Sequence, residues 1–152
     1  MFRISRRLDY GIQLMVALAK DDGNSPQPTA LLAKNLEIPL PFLHQIGHTL
    51  MQSGLIKASP GPKGGLRLNV PSKEVSVLQI AESLEGPICL NNCLSSGDEC
   101  SRQDQCSAQT MWSSIQNNII DHLGSTCLYD LAMQELTSEI NTGISRLPQG
   151  TD

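Results

Sequence analysis

Residues 41–70 read PFLHQIGHTLMQSGLIKASPGPKGGLRLNV. Over 41–53, Leu43, Ile46, Gly47 and Leu50 recur at steps of three and four and share one face of a helix. Pro41, His44, Gln45 and His48 share the opposite face. Proline opens that helix, where its missing N–H costs nothing. Two strand-like runs follow, at 55–59 and 66–70, on either side of the turn-forming PGPKGG. In the second run Leu66, Leu68 and Val70 face one way, and Arg67 and Asn69 the other. A solvated polar helix face is common by itself. A basic Gly/Pro hairpin directly behind it is not, and the pair predicts the recognition helix and wing of a winged helix-turn-helix.

The residues upstream fit the same frame. A helix over 5–20 carries Leu8, Ile12, Met15 and Ala19 in one stripe, widened by Val16 and Leu18. DDGNSPQP breaks it, Thr29 is placed to cap a short helix TALLAKNL, and IPLP makes the next turn. Ala33 offers the small side chain that two crossing helices need. Gln45 can bond an adenine edge bidentately, and His44 and His48 can donate to guanine or phosphate. Arg3, Arg6 and Arg7 at the start of the first helix, with Lys63 and Arg67 of the wing, are candidates for phosphate contacts. The expected fold is mainly α with a small β-hairpin.

Downstream, Ser76 and Gln79 match a capping box for a helix that runs to Glu85 and stops at Gly86-Pro87. A cysteine-rich loop spans 88–106. A long helix over 107–123 shows Ala108, Met111, Trp112, Ile115, Ile119 and Leu123 along one stripe. Thr126 is expected to start a short last helix, and the chain beyond 137 reads as a flexible tail. Three segments result: a winged-helix part (1–75), an effector part (76–136) and the tail (137–152). Charge divides the same way. Residues 1–75 carry nine Lys/Arg against five Asp/Glu, and residues 76–152 carry two against ten. The net charge of −4 therefore hides a basic half suited to nucleic acid.

The loop reads PICLNNCLSSGDECSRQDQC, with Cys89, Cys93, Cys100 and Cys106 separated by three, six and five residues. Four soft ligands among Gly, Ser, Asn and Asp can wrap one metal centre, either an iron–sulfur cluster or zinc. Structural zinc sites favour tight C-x2-C knuckles, and none occurs here, so the wider spacing leans to a cluster. A regulatory disulfide is the remaining chemistry. Cys127 stands apart and reads as a packed thiol.

RISRRLDYGIQLMVALA, PLPFLHQIGHTLMQSGLI, GPKGGLRL, VSVLQIAESLEGPI and the cysteine loop followed by Trp112, in that order, resemble the Rrf-two family of winged-helix iron–sulfur transcription regulators, the IscR and NsrR type. The resemblance covers residues 2–133, and the EGPI segment and wing look closest to regulators of cluster-assembly genes. It implies a homodimer joined by the long helix, with Trp112, Ile115 and Ile119 in the joint, bound to a partly palindromic double-stranded DNA operator. It also implies an iron–sulfur cluster, of the 2Fe–2S kind ahead of 4Fe–4S, held by Cys93, Cys100 and Cys106. One branch takes its fourth ligand from a His three residues after the last cysteine, where this chain has Gln109. Another takes it from an acidic residue of the partner's first helix, and Asp9 stands at that place. Cys89 is the alternative ligand. The wing has Pro60 where several relatives carry a minor-groove Arg, which shifts any readout there to Lys63.

Other classes fit less well. No stretch of about 18 apolar residues is present for a membrane span, and MFRISRRLDYG lacks the apolar stretch of a secretory signal, so a cytoplasmic protein is expected. No nucleophile–base pair or phosphate loop points to an enzyme. Two rivals remain: a thiol-disulfide or zinc-dependent regulator of the same fold, and a cluster-carrying redox protein that binds no promoter.

Overall fold

The structure, a computed structural model, describes residues 3–20, 25–94 and 106–144, giving the backbone alone over 138–144. Helix α1 (Arg6–Ala19) starts where Ser5 Oγ accepts the Leu8 N–H at 3.0 Å. It buries Gly11, Leu14, Met15, Val16, Leu18 and Ala19, while Leu8 and Ile12 are only partly covered. Helix α2 (Thr29–Asn35) has no side-chain cap. Thr29, expected as the cap, is instead its first residue, because the chain is still extended through Pro28 (φ −58°, ψ 128°). Gln27 holds that extension by exchanging backbone hydrogen bonds with Leu66 at 2.8 and 2.9 Å. Between α2 and α3 (Leu40–Gln52) the chain turns through Glu37 at φ 54°, a left-handed position that glycine more often holds.

Strands β1 (Ile56–Ser59) and β2 (Gly65–Leu68) pair antiparallel, with Ile56 opposite Leu68 and Lys57 opposite Arg67. They are shorter than the expected runs: Leu55 and Val70 fall just outside the ladder, although Leu55 is still buried. Gly65 (φ 154°) lies so close to the Gln27 carbonyl that a Cβ would collide with it, which ties the wing's root to the segment before α2.

Helix α4 (Val77–Glu85) has the full capping box from Ser76 and Gln79, and Gly86 (φ 83°) closes it. It crosses α1 closely: a Cβ on Gly11 would run into Leu84. Helix α5 (Ser107–Ser125) buries none of its residues. Helix α6 (Leu128–Ile144) is 17 residues long rather than short, and it carries the helix past the expected tail boundary at 137. Its start is fixed by Leu128 N–H donating to Val75 O at 2.8 Å and by Val77 N–H donating to Thr126 O at 3.0 Å. Leu128 and Ala132 are fully buried, in one cluster with Leu14, Leu43, Ile46, Leu50, Ile80 and Leu84. The first and last helices thus share a core with the helix-turn-helix.

Candidate nucleic-acid interface and cysteine loop

Packing of α3 is as its periodicity demands. Leu43, Ile46, Gly47 and Leu50 are buried, and Pro41, His44, Gln45 and His48 are exposed. Burying the four inner residues leaves the outer face no rotational freedom, so those side chains point away from the core together. A brace unseen in the sequence adds to this. Arg7 of α1 donates from Nη2 to Thr49 Oγ1 at 2.9 Å, and Thr49 donates onward to the Gln45 carbonyl at 3.1 Å. A charged donor strengthens the first of these bonds, so α1 sets the orientation of α3 at the turn that carries Gln45.

Arg3 and Arg6 are exposed at the start of α1. Lys63 is exposed in the wing, and Lys57, which no sequence motif singles out, is exposed across the ladder from Arg67. Arg67 itself is half-buried, with its Nε enclosed and lacking a hydrogen-bond partner among the described residues.

The cysteine loop leaves α4 as a strap over 86–90. Cys89 is exposed, its thiol 3.0 Å from the Asn91 carbonyl. Leu90 N–H donates to Gln116 Oε1 at 2.9 Å. Cys93 lies in the short turn Asn92–Leu94, whose Cys93 carbonyl accepts from Gln109 Nε2 at 3.3 Å. Two glutamines of α5 therefore hold this end of the loop against the helix. At the other end Cys106 is the residue before α5, and its carbonyl accepts the Gln109 N–H at 3.1 Å. Cys93 and Cys106 are both free, half-buried thiols. Gln109 bonds the backbone of each, so they flank the same first turn of α5. Cys100 lies outside the described residues, and among the described residues no three His, Cys, Asp or Glu side chains gather as a metal site. Two soft, unpaired donors at the rim of one helix fit a thiolate-bound cluster.

Asp9 is exposed on α1, with Gln13 Nε2 donating to its Oδ2 at 3.1 Å. Cys127 is half-buried rather than buried, its thiol 3.3 Å from the Ser72 carbonyl and 3.4 Å from that of Lys73. Along α5, Trp112 and Ile119 are half-buried, while Met111 and Ile115 expose 48% and 38% of their surface. Next to that face lies a largely apolar cleft of about 630 Å³, lined by Ile4, Leu8, Ile88, Leu90, Ile115 and Ile119 among others. At its wall Ser5 Oγ donates to Glu85 Oε1 at 2.8 Å, linking the cap of α1 to the last residue of α4.

A family profile named Rrf2, an iron-dependent transcriptional regulator, matches residues 4–134. The chain belongs to the Rrf2 family. It is 26% identical over 139 residues to the HTH-type transcriptional regulator IscR of Vibrio cholerae, covering 91% of this chain and 80% of the relative. Among solved structures, CymR (YrzC), the global cysteine regulator of B. subtilis, is 30% identical with a TM-score of 0.75, over 88% of this chain and 98% of that one. IscR of T. potens shares the fold at TM-score 0.71 and 24% identity, over 98% and 94% of the two chains. This Rrf2 protein is therefore a winged-helix transcriptional regulator that binds DNA, and its relatives are regulators, not enzymes. Among the described residues no helix is long and apolar enough to cross a membrane.

Proposed function

We propose that this Rrf2 regulator acts as a homodimer whose grip on its operator follows the state of an iron–sulfur cluster held by Cys93, Cys100 and Cys106. The observation that carries the reading is the pair of free, half-buried thiols, Cys93 and Cys106, held at the first turn of α5 by Gln109. When bound, the cluster supplies a centre that oxidation or loss of iron can alter. A two-iron cluster with Asp9 of the partner subunit as fourth ligand is the preferred form, with Cys89 as the alternative ligand.

Chain residues then relay the state of the loop. Gln109 and Gln116 fix the loop to α5, and the strap over 86–90 joins it to Glu85. Glu85 holds Ser5, the cap of α1. Arg7, two residues on, steadies α3 through Thr49. A loop that shifts α5 and the strap thus has a bonded route to the DNA face, and two dimer geometries with unequal operator affinity are enough to switch a promoter. On that face His44 and Gln45 read bases with Pro41 and His48 beside them. Arg3, Arg6, Arg7, Lys63 and Arg67 hold phosphates. The dimer is joined by Trp112, Ile115 and Ile119, the half-covered face of α5.

The test is purification of the full chain without air, followed by iron and acid-labile sulfide assays and a visible spectrum. Ala substitution at Cys93, Cys100 or Cys106 should bleach the protein, and Cys127→Ala should not. Full cluster content in Cys100→Ala would overturn the ligand set. A thiol-switch reading is favoured by the likeness to a global cysteine regulator and by the exposure of Cys89. It predicts a colourless protein whose DNA affinity depends on Cys89 and responds to disulfide reductants.

A further inference from the structure

One residue of the outer face of α3 is chemically unlike its neighbours. Leu40, the first helical residue, exposes 38% of its surface and is absent from the apolar side chains packed on the core, which include Phe42 two positions later. Leu40, His44 and His48 are spaced four apart and form one row along the helix, beside the row of Pro41 and Gln45. Pro39, Leu40 and Pro41 are all exposed, so the leading edge of this otherwise polar face is apolar.

The same residues make this helix start a poor seat for an anion. A helix N-terminus normally offers free N–H groups to phosphate. Here Pro39 and Pro41 have none, and the N–H groups of Phe42 and Leu43 donate to the Pro39 carbonyl at 2.9 and 3.0 Å. Pro39 is set at φ −55° and ψ 127°, and the rings of Pro39 and Pro41 fix φ on both sides of Leu40, so the edge is held in place before any partner arrives.

Resting on the reading of α3 as the recognition helix, we propose that Leu40, between Pro39 and Pro41, is a specificity residue that reads the 5-methyl group of a thymine. The N-terminal residues of a recognition helix reach base edges, and the thymine methyl is the apolar group those edges present in the major groove. A leucine there loses exposed surface against the methyl and discriminates against cytosine, which lacks it. His44 and Gln45, one turn further along, take the polar edges of adjacent bases.

The experiment uses the full chain, purified without air, and duplexes it selects from a randomised pool. Each thymine is replaced singly by deoxyuridine, which removes the methyl and keeps the pairing. One thymine position per half-site should lose roughly fourfold in affinity, the ratio that corresponds to ~0.8 kcal/mol for one methyl-sized group. In Leu40→Ala the penalty at that position should vanish, and in Leu40→Met it should persist. Leu31→Ala, which alters an exposed leucine of α2, should leave it unchanged. A flat deoxyuridine scan, or a penalty that survives Leu40→Ala, overturns the assignment. Gln45→Ala separates the two levels: if it loses base discrimination while the scan is flat, only the role of Leu40 falls. If neither responds, the reading of α3 falls too.

Discussion

Helices α3 and α5 carry the same kind of pattern and end in opposite situations. Helix α3 has 13 residues and buries four of them, and what it leaves outside is mostly polar. Helix α5 has 19 residues and buries none, and what it leaves outside includes Met111, Ile115 and an apolar cleft. An amphipathic stripe says only that a helix has an apolar face, not which chain covers it. In α3 the cover is this chain's own core. Among the described residues nothing covers the α5 face fully, and a leftover face of this kind is what a docking surface offers. Under the proposed reading, the exposed polar face of one helix serves recognition of DNA and the exposed apolar face of the other serves recognition of a second subunit.

The largest expected effect comes from breaking the α5 side of this contrast. Ile115→Arg should leave the fold intact, because Ile115 contributes to no buried cluster. It should convert the protein to a monomer in sedimentation or light scattering. Losing the second half-site contact should then lower operator affinity on the order of 100-fold or more. A dimer that persists in Ile115→Arg would show that another face of the chain joins the subunits.

Gln45→Ala tests the α3 side and should do less. Removing one bidentate base contact costs about 1–3 kcal/mol of discrimination between operator variants, read by competition binding with single-base changes. Affinity for unrelated DNA should hardly change. Arg6→Ala should behave in the reverse sense. It should weaken all sequences alike and lower the log–log salt slope by about 0.9, the share of one phosphate. Arg7→Ala should combine the two, since Arg7 also bonds Thr49 beneath Gln45. If Arg7→Ala reduces the salt slope without touching discrimination, the brace has no role in orienting α3.

Much of this was legible in the sequence wherever a periodic face met its own core. The faces of α3, the capping box of α4 and the hairpin follow from residue spacing and turn chemistry alone. Gln27 was not legible, because a single residue bridging to Leu66 inside NSPQP leaves no alternation to detect. Leu14, fully buried, lies off the expected stripe because α1 is covered on more than one side, by α3, α4 and α6. The α2–α3 turn was legible, but not the left-handed backbone of Glu37 within it, since no glycine advertises it. The length of α6 was missed because Leu128 and Ala132 bury against α1, a long-range contact that local composition does not encode. In the cysteine loop the spacing offers candidate donors, but which of them could meet depends on how the loop is tied down. Gln109 and Gln116 do that from a helix with no sequence mark of the role.

The smallest expected effect, and the most discriminating for the cysteine region, belongs to Asp9. Its carboxylate is exposed and, among the described residues, engaged by Gln13 on its own helix, a solvent-facing bond of 3.1 Å that contributes little and is easily exchanged. It stands one residue past Leu8, which lines the apolar cleft beside α5. If a second subunit covers that cleft, α1 of each chain is brought toward the other chain's α5, whose first turn is flanked by Cys93 and Cys106. A carboxylate is a harder, weaker partner for iron than a thiolate, so a cluster that uses one should be more labile than a cluster held by four cysteines. Asp9→Ala should therefore keep the helical content, the dimer and most of the iron, while shifting the visible spectrum and shortening the lifetime of the colour in air. Cys89→Ala should leave both unchanged. The opposite result, a normal spectrum in Asp9→Ala and a bleached or shifted one in Cys89→Ala, would assign the fourth position to the exposed thiol. Asp9 would then be left with its bond to Gln13.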